Sequence, residues 1–387
     1  MSQSSPTQVR LAILGVGSMG SVHARHISEG KVPRMTLGAL VDLDPAATQA
    51  FPDVPKFANL EEFWASNTAD AVLIATPHYD HTTLGIAALE KGFHVLVEKP
   101  ISVHKADCQR LIAAHTNPKQ KFAAMFNQRT DPFYQKIRSL IQSGELGQIR
   151  RINWIITNWF RTEAYYASGG WRATWGGEGG GVLLNQCPHN LDLYQWMFGM
   201  PQKLRSWCAL GKYHNIEVED DVTTFMQYDS GATGVFITST GEAPGTNRLE
   251  ITAEQGRLVY EHDLISYKRN EQAMTHFSQT TDQRFSTPST WDVTIPVRGH
   301  GGQHIEITTN FAEAILDDKP LIAPAAEGIH SVELANAMLL SAFENREVNL
   351  PLDPEHYEAV LKEKIASSTF KKVVRDVNKE DFASSFR

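Results

Sequence analysis

The sequence predicts an α/β protein in which a doubly wound parallel sheet is followed by an α+β domain on a large, mostly antiparallel open sheet. Three observations predict this fold. Apolar runs and helical segments alternate up to about residue 127, a glycine-rich turn follows the first apolar run, and beyond residue 147 several strand patterns succeed one another without helices. We therefore divide the chain into domains at residues 1–129 and 130–387.

Length and composition agree with two globular domains. A chain of 387 residues is too long for one ordinary core. Its composition, 42% hydrophobic and 21% charged, is that of a globular protein rather than a disordered or fibrous one. The formal charge of −8 and the lack of a long basic patch argue against a nucleic-acid partner.

Targeting signals and cysteine usage indicate a cytoplasmic protein. No stretch approaches the roughly 18 apolar residues of a membrane span, and Met1 to Gln8 is polar without the apolar centre of a signal peptide. Cys108, Cys187 and Cys208 are widely spaced and form neither a disulfide framework nor a metal-binding pair. We expect no membrane contact and no metal.

The glycine turn predicts a dinucleotide site. The apolar strand 9–14 runs into Gly15-Val16-Gly17-Ser18-Met19-Gly20, and a helix continues to Glu29. This strand–turn–helix context makes the first domain a Rossmann domain, with the pyrophosphate at the helix N-terminus. Asp42 ends the next strand, twenty-two positions beyond Gly20. Its carboxylate can accept both ribose hydroxyls and would repel a 2′-phosphate, so we expect NAD rather than NADP.

The next elements repeat the strand–helix alternation. We predict strands at 71–75, 93–97 and 121–126, a helix at 84–91, and another from a Ser102 cap to about His115. Short right-handed connections bring the loops after these strands to one edge of the sheet. The loop 76–81 should lie beside the glycine turn there. Further cofactor contacts are expected from Thr76, Pro77, His81, Glu98, Lys99 and Gln128.

Lys99 stands at the carboxyl end of the central strand, between Glu98 and Pro100. The proline disfavours helical geometry at the lysine and ends ladder pairing, so the lysine is held extended at the edge where ligands bind. A solvated Glu–Lys pair capping a strand is the alternative. The neighbouring dinucleotide motif favours a functional lysine.

The second domain reads as consecutive strands and two late helices. Strands are predicted at 150–159, 203–209, 221–228, 233–240, 248–253 and 257–260, helices at 303–316 and 327–342, and an irregular excursion at 271–290. Such a sheet leaves one face for packing or for contact between subunits.

A glycine-rich segment in this domain leads to a polar helical stripe. Glycines from Gly169 to Gly181 precede a predicted helix on which Asn185, His189 and Asp192 fall at i, i+4 and i+7, within about 60° of one another. A buried structural His–Asp pair is the alternative. The glycine-rich entry beside a dinucleotide domain favours an active-site stripe.

These motifs, in this order and spacing, resemble the Gfo/Idh/MocA oxidoreductases, which include glucose–fructose oxidoreductase and inositol dehydrogenases. The matching pieces are Gly15 to Gly20, Glu98-Lys99-Pro100, and the glycine segment leading to His189 and Asp192. The resemblance implies a nicotinamide cofactor, a sugar or polyol substrate, and a homodimer or homotetramer that pairs through the exposed sheet. It also implies that Lys99 is catalytic and binds substrate, and that His189 is the acid/base residue.

Further roles follow as hypotheses from the resemblance. Asp192 would bind a substrate hydroxyl or orient His189, and Asn185 would hold a neighbouring hydroxyl. The family commonly has aspartate where this chain has Asn185, and an amide cannot accept a proton. Arg161 and Tyr166 resemble substrate contacts of a subgroup acting on levoglucosan or other glycosides, while Trp171 and Arg172 would line the nicotinamide end.

Two other functions fit the same motifs. A redox-assisted glycoside hydrolase would oxidise and then re-reduce a sugar while NAD stays bound, with no net NADH. A non-catalytic NAD-binding regulator would bind the cofactor without turnover; the presence of Lys99, His189 and Asp192 disfavours it.

Overall fold

A parallel sheet forms the centre of the first domain in the computed structural model, which describes residues 7–375. Most of the polar segment Met1 to Gln8 therefore lies outside the described residues. The six strands found within that range are β1 (Val9–Leu14), β2 (Met35–Val41), β3 (Lys56–Phe57), β4 (Ala71–Ile74), β5 (His94–Val97) and β6 (Phe122–Ala124). Their spatial order, β3-β2-β1-β4-β5-β6, is that of a Rossmann sheet.

The strand register aligns the carboxyl ends of this sheet. Leu14 pairs with both Val41 and Ile74, Ile74 pairs with Val97, and Val97 pairs with Ala124. The residues that follow these strands consequently line one edge, as the sequence predicts.

Four helices connect the strands: α1 (Ser18–Ser28), α2 (Leu60–Ala65), α3 (His78–Glu90) and α4 (Lys105–Ala114). Since α3 begins at His78, the predicted loop to His81 was wrong. The Ser102 cap was wrong too, because His104 caps α4 by accepting the Asp107 N–H at 3.3 Å. The Ser102 hydroxyl instead bonds the Thr82 hydroxyl at 2.7 Å.

A nine-stranded sheet organises the second domain, as far as residues 7–375 show. Its strands are β7 (Ile149–Ile156), β8 (Lys203–Leu210), β9 (Glu219–Gln227), β10 (Thr233–Ser239), β11 (Asn247–Ala253), β12 (Gly256–Glu261), β13 (Leu264–Asn270), β14 (Thr290–Ile295) and β15 (Val348–Asn349). The spatial order is β14-β13-β12-β11-β7-β10-β9-β8-β15, and β7 with β10 is the parallel pair among antiparallel neighbours. The predicted mostly antiparallel sheet is confirmed.

Seven helices accompany this part of the described chain: α5 (Pro132–Gln142), α6 (Glu163–Ala167), α7 (Pro188–Phe198), α8 (Met274–Thr280), α9 (Gln303–Asp317), α10 (Gly328–Phe343) and α11 (Pro354–Ser367). Helix α8 lies inside the predicted irregular excursion, and β13 and β14 flank it. None of the helices within residues 7–375 is long and apolar enough to cross a bilayer.

The described residues form two hydrophobic cores, and the first core contains residues from two separate parts of the chain. The first core surrounds the parallel sheet and also takes Ile307 and Phe311 from α9, with Ala323 and Val332 further on. The main chain joins as well, because the Ala124 N–H donates to the Ala323 carbonyl at 2.9 Å. The chain thus returns to the first core after β14, before β15 adds the last strand to the second sheet.

Helix α7 is held between the two domains. It packs against α5, α10 and the short 3₁₀ turn Asn127–Thr130 that follows β6. Pro188 at its first position and Gly199, with φ of 76° at its carboxyl end, set its limits. His189 therefore sits in the first turn of a buried helix next to the edge of the Rossmann sheet.

Candidate active site

The glycine turn has the shape that a dinucleotide phosphate requires. Gly15 has a φ of +86°, and a Cβ there would lie 2.9 Å from the Ala75 carbonyl oxygen. A Cβ on Gly20 would lie 1.9 Å from the Gly15 oxygen, whereas a Cβ on Gly17 would meet nothing within 4 Å. Gly17 therefore borders open space at the N-terminus of α1, where no side chain caps the first N–H groups.

Asp42 lies directly beside this turn. Its Oδ2 accepts the Val16 N–H at 2.6 Å, and its Oδ1 accepts the Asp44 N–H at 2.8 Å. Each carboxylate oxygen can accept a further hydrogen bond. The hydroxyl of Thr76 and the amide oxygen of Gln128 are buried and have no hydrogen-bond partner within the described chain. The open turn, the carboxylate and these two polar groups fit NAD.

Lys99 bridges the two domains. Its Nζ donates to the main-chain oxygen of Asn185 at 2.9 Å. An ammonium group has three N–H donors, so two remain for a ligand. Burial lowers the pKa of Lys99, the charge of Glu98 acts in the opposite direction, and Arg161 lowers the pKa further.

Glu98 is engaged inside the protein. Its Oε1 lies 2.7 Å from His23 Nε2, and its Oε2 accepts the Lys99 N–H at 3.2 Å. Burial alone would raise the pKa of Glu98, but the hydrogen bond and charge of His23 hold it at about 2. The carboxylate therefore stays ionised and fixes the strand end from which Lys99 projects.

His189 has an imidazole that is free to exchange a proton with a ligand. The residue is 3% exposed, and neither ring nitrogen has a hydrogen-bond partner in the described residues. Burial, followed by the charge of Lys99, lowers the pKa of His189 well below its usual value. A neutral ring with an unused acceptor nitrogen suits a general base.

Asn185 reaches the site from a different place than the sequence indicated. Because α7 begins at Pro188, Asn185 lies in the turn before it, and the predicted stripe of three residues on one helix was wrong. Its side-chain oxygen accepts from the Tyr165 hydroxyl at 3.1 Å, and its amide donates to Glu178. Main chain and side chain of Asn185 thus connect Lys99 with Tyr165 and Glu178.

Asp192 does not face this space. Its two oxygens accept from Arg129 Nη2 at 2.6 Å and Nε at 2.7 Å, and Gln195 adds a third donor. Both members of the ion pair are fully buried. The prediction that Asp192 binds a substrate hydroxyl or orients His189 is therefore corrected: the carboxylate ties α7 to the 3₁₀ turn after β6.

Two further predicted contacts are corrected. Tyr166 is 3% exposed and belongs to the second core, where its hydroxyl bonds Thr240 Oγ1 at 2.8 Å. The ring nitrogens of His81 face the carbonyl oxygens of Pro100 at 2.7 Å and Thr76 at 2.9 Å. The His81 ring braces the loops at the sheet edge and leaves no nitrogen for the cofactor.

An aromatic and cationic wall does surround the lysine. The guanidinium carbons of Arg161 and Arg172 lie 5.1 Å and 4.8 Å from the centre of the Tyr165 ring. Arg172 also donates to the Tyr165 hydroxyl at 3.0 Å. The Trp171 ring lies 5.5 Å from that of His78, in the first turn of α3. Arg161 and Arg172 are therefore close to Lys99, and their predicted roles toward substrate and cofactor, like that of Trp171, stay predictions.

Two residues near this site were given no role from the sequence. The Tyr165 hydroxyl donates to the Asn185 side chain, and the buried carboxylate of Glu178 accepts from the Asn185 amide. His304, at the start of α9, packs its ring 5.6 Å from His23, and burial lowers its pKa to about 3. Glu178 carried a signal, since it is an acidic residue inside a glycine run. His304 was noted from the sequence, with His300 and Gln303, as a residue before a late helix that could reach the pocket.

This combination of a dinucleotide turn with a lysine and a neutral histidine at one sheet edge defines a two-domain NAD-binding oxidoreductase. Comparison with known families agrees. Residues 9–126 match the oxidoreductase family model with an NAD-binding Rossmann fold, and residues 134–259 match the GFO/IDH/MocA C-terminal domain. The chain belongs to the Gfo/Idh/MocA oxidoreductase family, which confirms the resemblance seen in the sequence.

Two relatives of this chain are named as dehydrogenases. The chain is 23% identical to levoglucosan dehydrogenase of Pseudarthrobacter phenanthrenivorans over 392 residues, covering 89% of this chain and 98% of the relative. It is 26% identical to inositol 2-dehydrogenase of Corynebacterium glutamicum over 196 residues, covering 49% of this chain and 54% of the relative. The second match thus spans about half of that relative's length.

Solved structures share the whole fold. The WlbA dehydrogenase of Chromobacterium violaceum, in complex with NADH and UDP-GlcNAcA, has a TM-score of 0.77 and 28% identity, covering 91% of this chain and 100% of that one. A levoglucosan dehydrogenase in complex with NADH and levoglucosan has a TM-score of 0.74 and 19% identity, covering 89% and 100%. At that identity the second likeness shows the fold alone.

Proposed function

We propose that this protein is an NAD-dependent dehydrogenase that oxidises a secondary alcohol of a sugar, polyol or sugar derivative. The observation that carries the proposal is that Lys99, anchored on Asn185, lies near enough for its charge to add to the effect of burial in lowering the pKa of the unpartnered His189 imidazole. The dehydrogenase relatives support the substrate class.

Residues of this chain remove the proton of the substrate hydroxyl. Bound NAD supplies the acceptor for the hydride. His189, neutral because burial lowers its pKa, accepts the proton of the substrate hydroxyl as general base. Lys99 Nζ donates one of its remaining N–H groups to the hydroxyl oxygen and stabilises the alkoxide that develops there.

The wall around Lys99 suits a polyhydroxylated ring. The Tyr165 ring packs against the guanidinium groups of Arg161 and Arg172, which hold forked donors beside it. Sugar rings present apolar C–H faces and hydroxyl rims, so they combine with an aromatic plane and forked donors. We assign substrate binding to Lys99, Asn185, His189 and Arg161, with Tyr165 replacing Tyr166.

The experiment is an absorbance screen for NAD reduction with inositols, aldohexoses, anhydrosugars and glycosides. We expect Lys99→Met to lower kcat/KM on the best substrate by at least about 100-fold, because an alkoxide donor of this kind contributes several kcal/mol. NADH affinity, measured by fluorescence, should change less than about threefold. Lys119→Met, which alters an exposed lysine, serves as the matched control.

Two results would contradict this proposal. Turnover by Lys99→Met within threefold of the unmodified protein would remove Lys99 from the mechanism. Cleavage of a glycoside without net NADH would establish the redox-assisted hydrolase instead.

We also propose that two or four copies associate through the open face of the second sheet. Trp207 is 57% exposed and Phe225 is 38% exposed on that face, and Val235, Ile237 and Ile155 follow them across adjacent strands. An apolar band of this kind is typical of a protein–protein contact.

The free cysteines of the described chain support a cytoplasmic location.

A further inference from the structure

A buried carboxylate that the proposed mechanism does not use lies next to the Lys99 anchor. Glu178 is 2% exposed. Its Oε2 accepts the Ala173 N–H at 2.6 Å, its Oε1 accepts the side-chain amide of Asn185, and Arg172 Nη1 lies 3.9 Å from Oε1. Every donor around it thus favours the ionised form, although burial raises the pKa of Glu178.

Asn185 connects this carboxylate to Lys99. The same residue gives its main-chain oxygen to Lys99 Nζ and its side-chain amide to Glu178. An asparagine side chain carries no charge, so the negative charge on this side of the lysine comes from Glu178. On the strand side, Glu98 supplies the other one.

The charges around Lys99 make such a counter-charge necessary. Arg161 and Arg172 both lie close enough to disfavour a third cation, and burial acts in the same sense. The proposed mechanism needs Lys99 as an ammonium group, since a neutral amine stabilises an alkoxide far less. Glu98 has the larger effect on the pKa of Lys99, and Glu178 adds a second negative charge on the side of Asn185.

We infer that Glu178 is a positioning residue that, through Asn185, keeps Lys99 protonated and aimed at the substrate oxygen. This inference rests on the proposed function. With asparagine at position 185, the negative charge on this side of Lys99 comes from Glu178 rather than from residue 185.

Other charged groups face Glu178 and enter its pH behaviour. The positive charges of Arg172 and Lys372 favour its ionised form. Charge–charge interactions also link it to Glu219, Tyr166 and Lys99. The His78 ring nitrogen Nδ1 lies 3.4 Å from its main-chain oxygen. Lys372 belongs to the segment after α11, so the carboxylate is framed by several separate parts of the chain.

The primary test is the titration of Lys99 itself, which needs neither cofactor nor substrate. Trace labelling with acetic anhydride at a series of pH values, read by mass spectrometry on the Lys99 peptide, reports the pKa of this amine. In Glu178→Gln we expect that pKa to fall by about one unit, the effect of removing an opposite charge at short range. Glu163→Gln, a matched change at an exposed carboxylate, should leave it in place.

A charge exchange provides the decisive variant. In Glu178→Gln with Asn185→Asp, the hydrogen bond between the two side chains persists with donor and acceptor reversed, and the carboxylate stands next to Lys99 again. We expect the Lys99 pKa to return to within about 0.3 unit of the unmodified protein. A pKa that stays unchanged in Glu178→Gln, or fails to recover in the exchanged pair, would overturn the inference.

Kinetics add a readout that a purely structural role would not move. Once a substrate is known, Glu178→Gln should shift the alkaline limb of the kcat/KM profile about one pH unit lower, as the Lys99 pKa falls. At pH values above the Lys99 pKa of both proteins, kcat/KM should be about tenfold lower in the variant. At neutral pH the change should be small. An equal loss at all pH values would mark a structural residue and reject the inference. If no polyol is oxidised, the proposed function fails, while the labelling result still decides the charge effect on Lys99.

Discussion

Asp42 has a structural role in the glycine turn besides the role in cofactor choice that we propose for it. It accepts the Val16 N–H inside the glycine turn and the N–H of Asp44 beyond β2. The carboxylate is therefore held in place before a ligand arrives. Pre-organisation of this kind lets two ribose hydroxyls bind without reordering the loop.

Replacing Asp42 tests NAD preference directly. Asp42→Ala should weaken NADH binding about tenfold or more, since two hydrogen bonds to a charged group are lost. NADPH should bind no worse, because the repulsion of its 2′-phosphate disappears. Dissociation constants for both cofactors come from fluorescence titration.

An amide at the same position separates charge from structure. Asp42→Asn keeps an oxygen for the Val16 N–H, so it should retain the turn but lose most of the discrimination against NADPH. If the ratio of the two affinities is the same in all three proteins, Asp42 does not contact the ribose.

The residues that sequence found and those it misplaced differ in how their partners are arranged along the chain. Gly15, Asp42 and Lys99 were predictable because each stands where a strand ends, and strand ends of a parallel sheet meet by topology. Asp192 and Tyr166 were misplaced because their partners, Arg129 and Thr240, lie 63 and 74 residues away. A local pattern identifies a polar or aromatic side chain but not the distant residue that it contacts.

At the scale of elements, periodicity located most strands within a residue or two. The exceptions are informative. Strands β3, β13, β14 and β15 were not predicted: β3 and β15 have two residues each, and β14 is mostly exposed and mixed in composition. Helix α9 reads as a helix of the second domain, although its apolar side packs on the first. The sequence reveals which side of a helix is apolar, whereas the surface that covers it is a tertiary property.

The turn before α7 depends on a carboxylate from another element. Glu219, at the start of β9, accepts the N–H groups of Gly181 at 2.8 Å and Leu183 at 3.0 Å through one oxygen. Its second oxygen is buried and has no partner within the described residues. Burial raises the pKa of Glu219 to about 7, because these two donors do not offset the loss of solvent.

This pKa predicts a pH-dependent stability. A carboxyl whose pKa is higher in the folded than in the unfolded chain stabilises fully below about 4.5 and loses that contribution as the pH rises through about 7. The loss is at most about 3 kcal/mol, at 1.36 kcal/mol per pH unit. Glu219→Gln retains an oxygen for both N–H groups and carries no charge, so it should be more stable than the unmodified protein at pH 8.

Urea unfolding at pH 5 and pH 8 measures the effect. We expect the stability of Glu219→Gln relative to the unmodified protein to rise by about 1–3 kcal/mol between these pH values. Glu242→Gln, at an exposed carboxylate, should show no such rise. A difference that is constant with pH would mean that Glu219 stays ionised in the folded protein.

At the scale of the whole molecule, the two domains are interlocked rather than joined by one linker. The return of α9 to the first core and the buried Arg129–Asp192 pair both cross the boundary. The site lies at this crossing, where Lys99 of the first domain donates to Asn185 of the second. Relative motion of the domains would break that contact, so we regard their packing as part of the active site.

The open face of the second sheet remains uncovered within one chain and supports the last prediction. Phe225 pairs in register with Arg205 on one side and Val235 on the other, at the centre of the apolar band. A glutamate there would place a charge in a desolvated contact, which costs several kcal/mol. Phe225→Glu should therefore sediment as a monomer near 43.1 kDa, while the unmodified protein sediments at two or four times that mass. Phe285→Glu makes the same substitution at a side chain that is 99% exposed and should not change the mass. Sedimentation of the unmodified protein as a monomer, or of Phe225→Glu as an intact oligomer, would exclude this face as the interface.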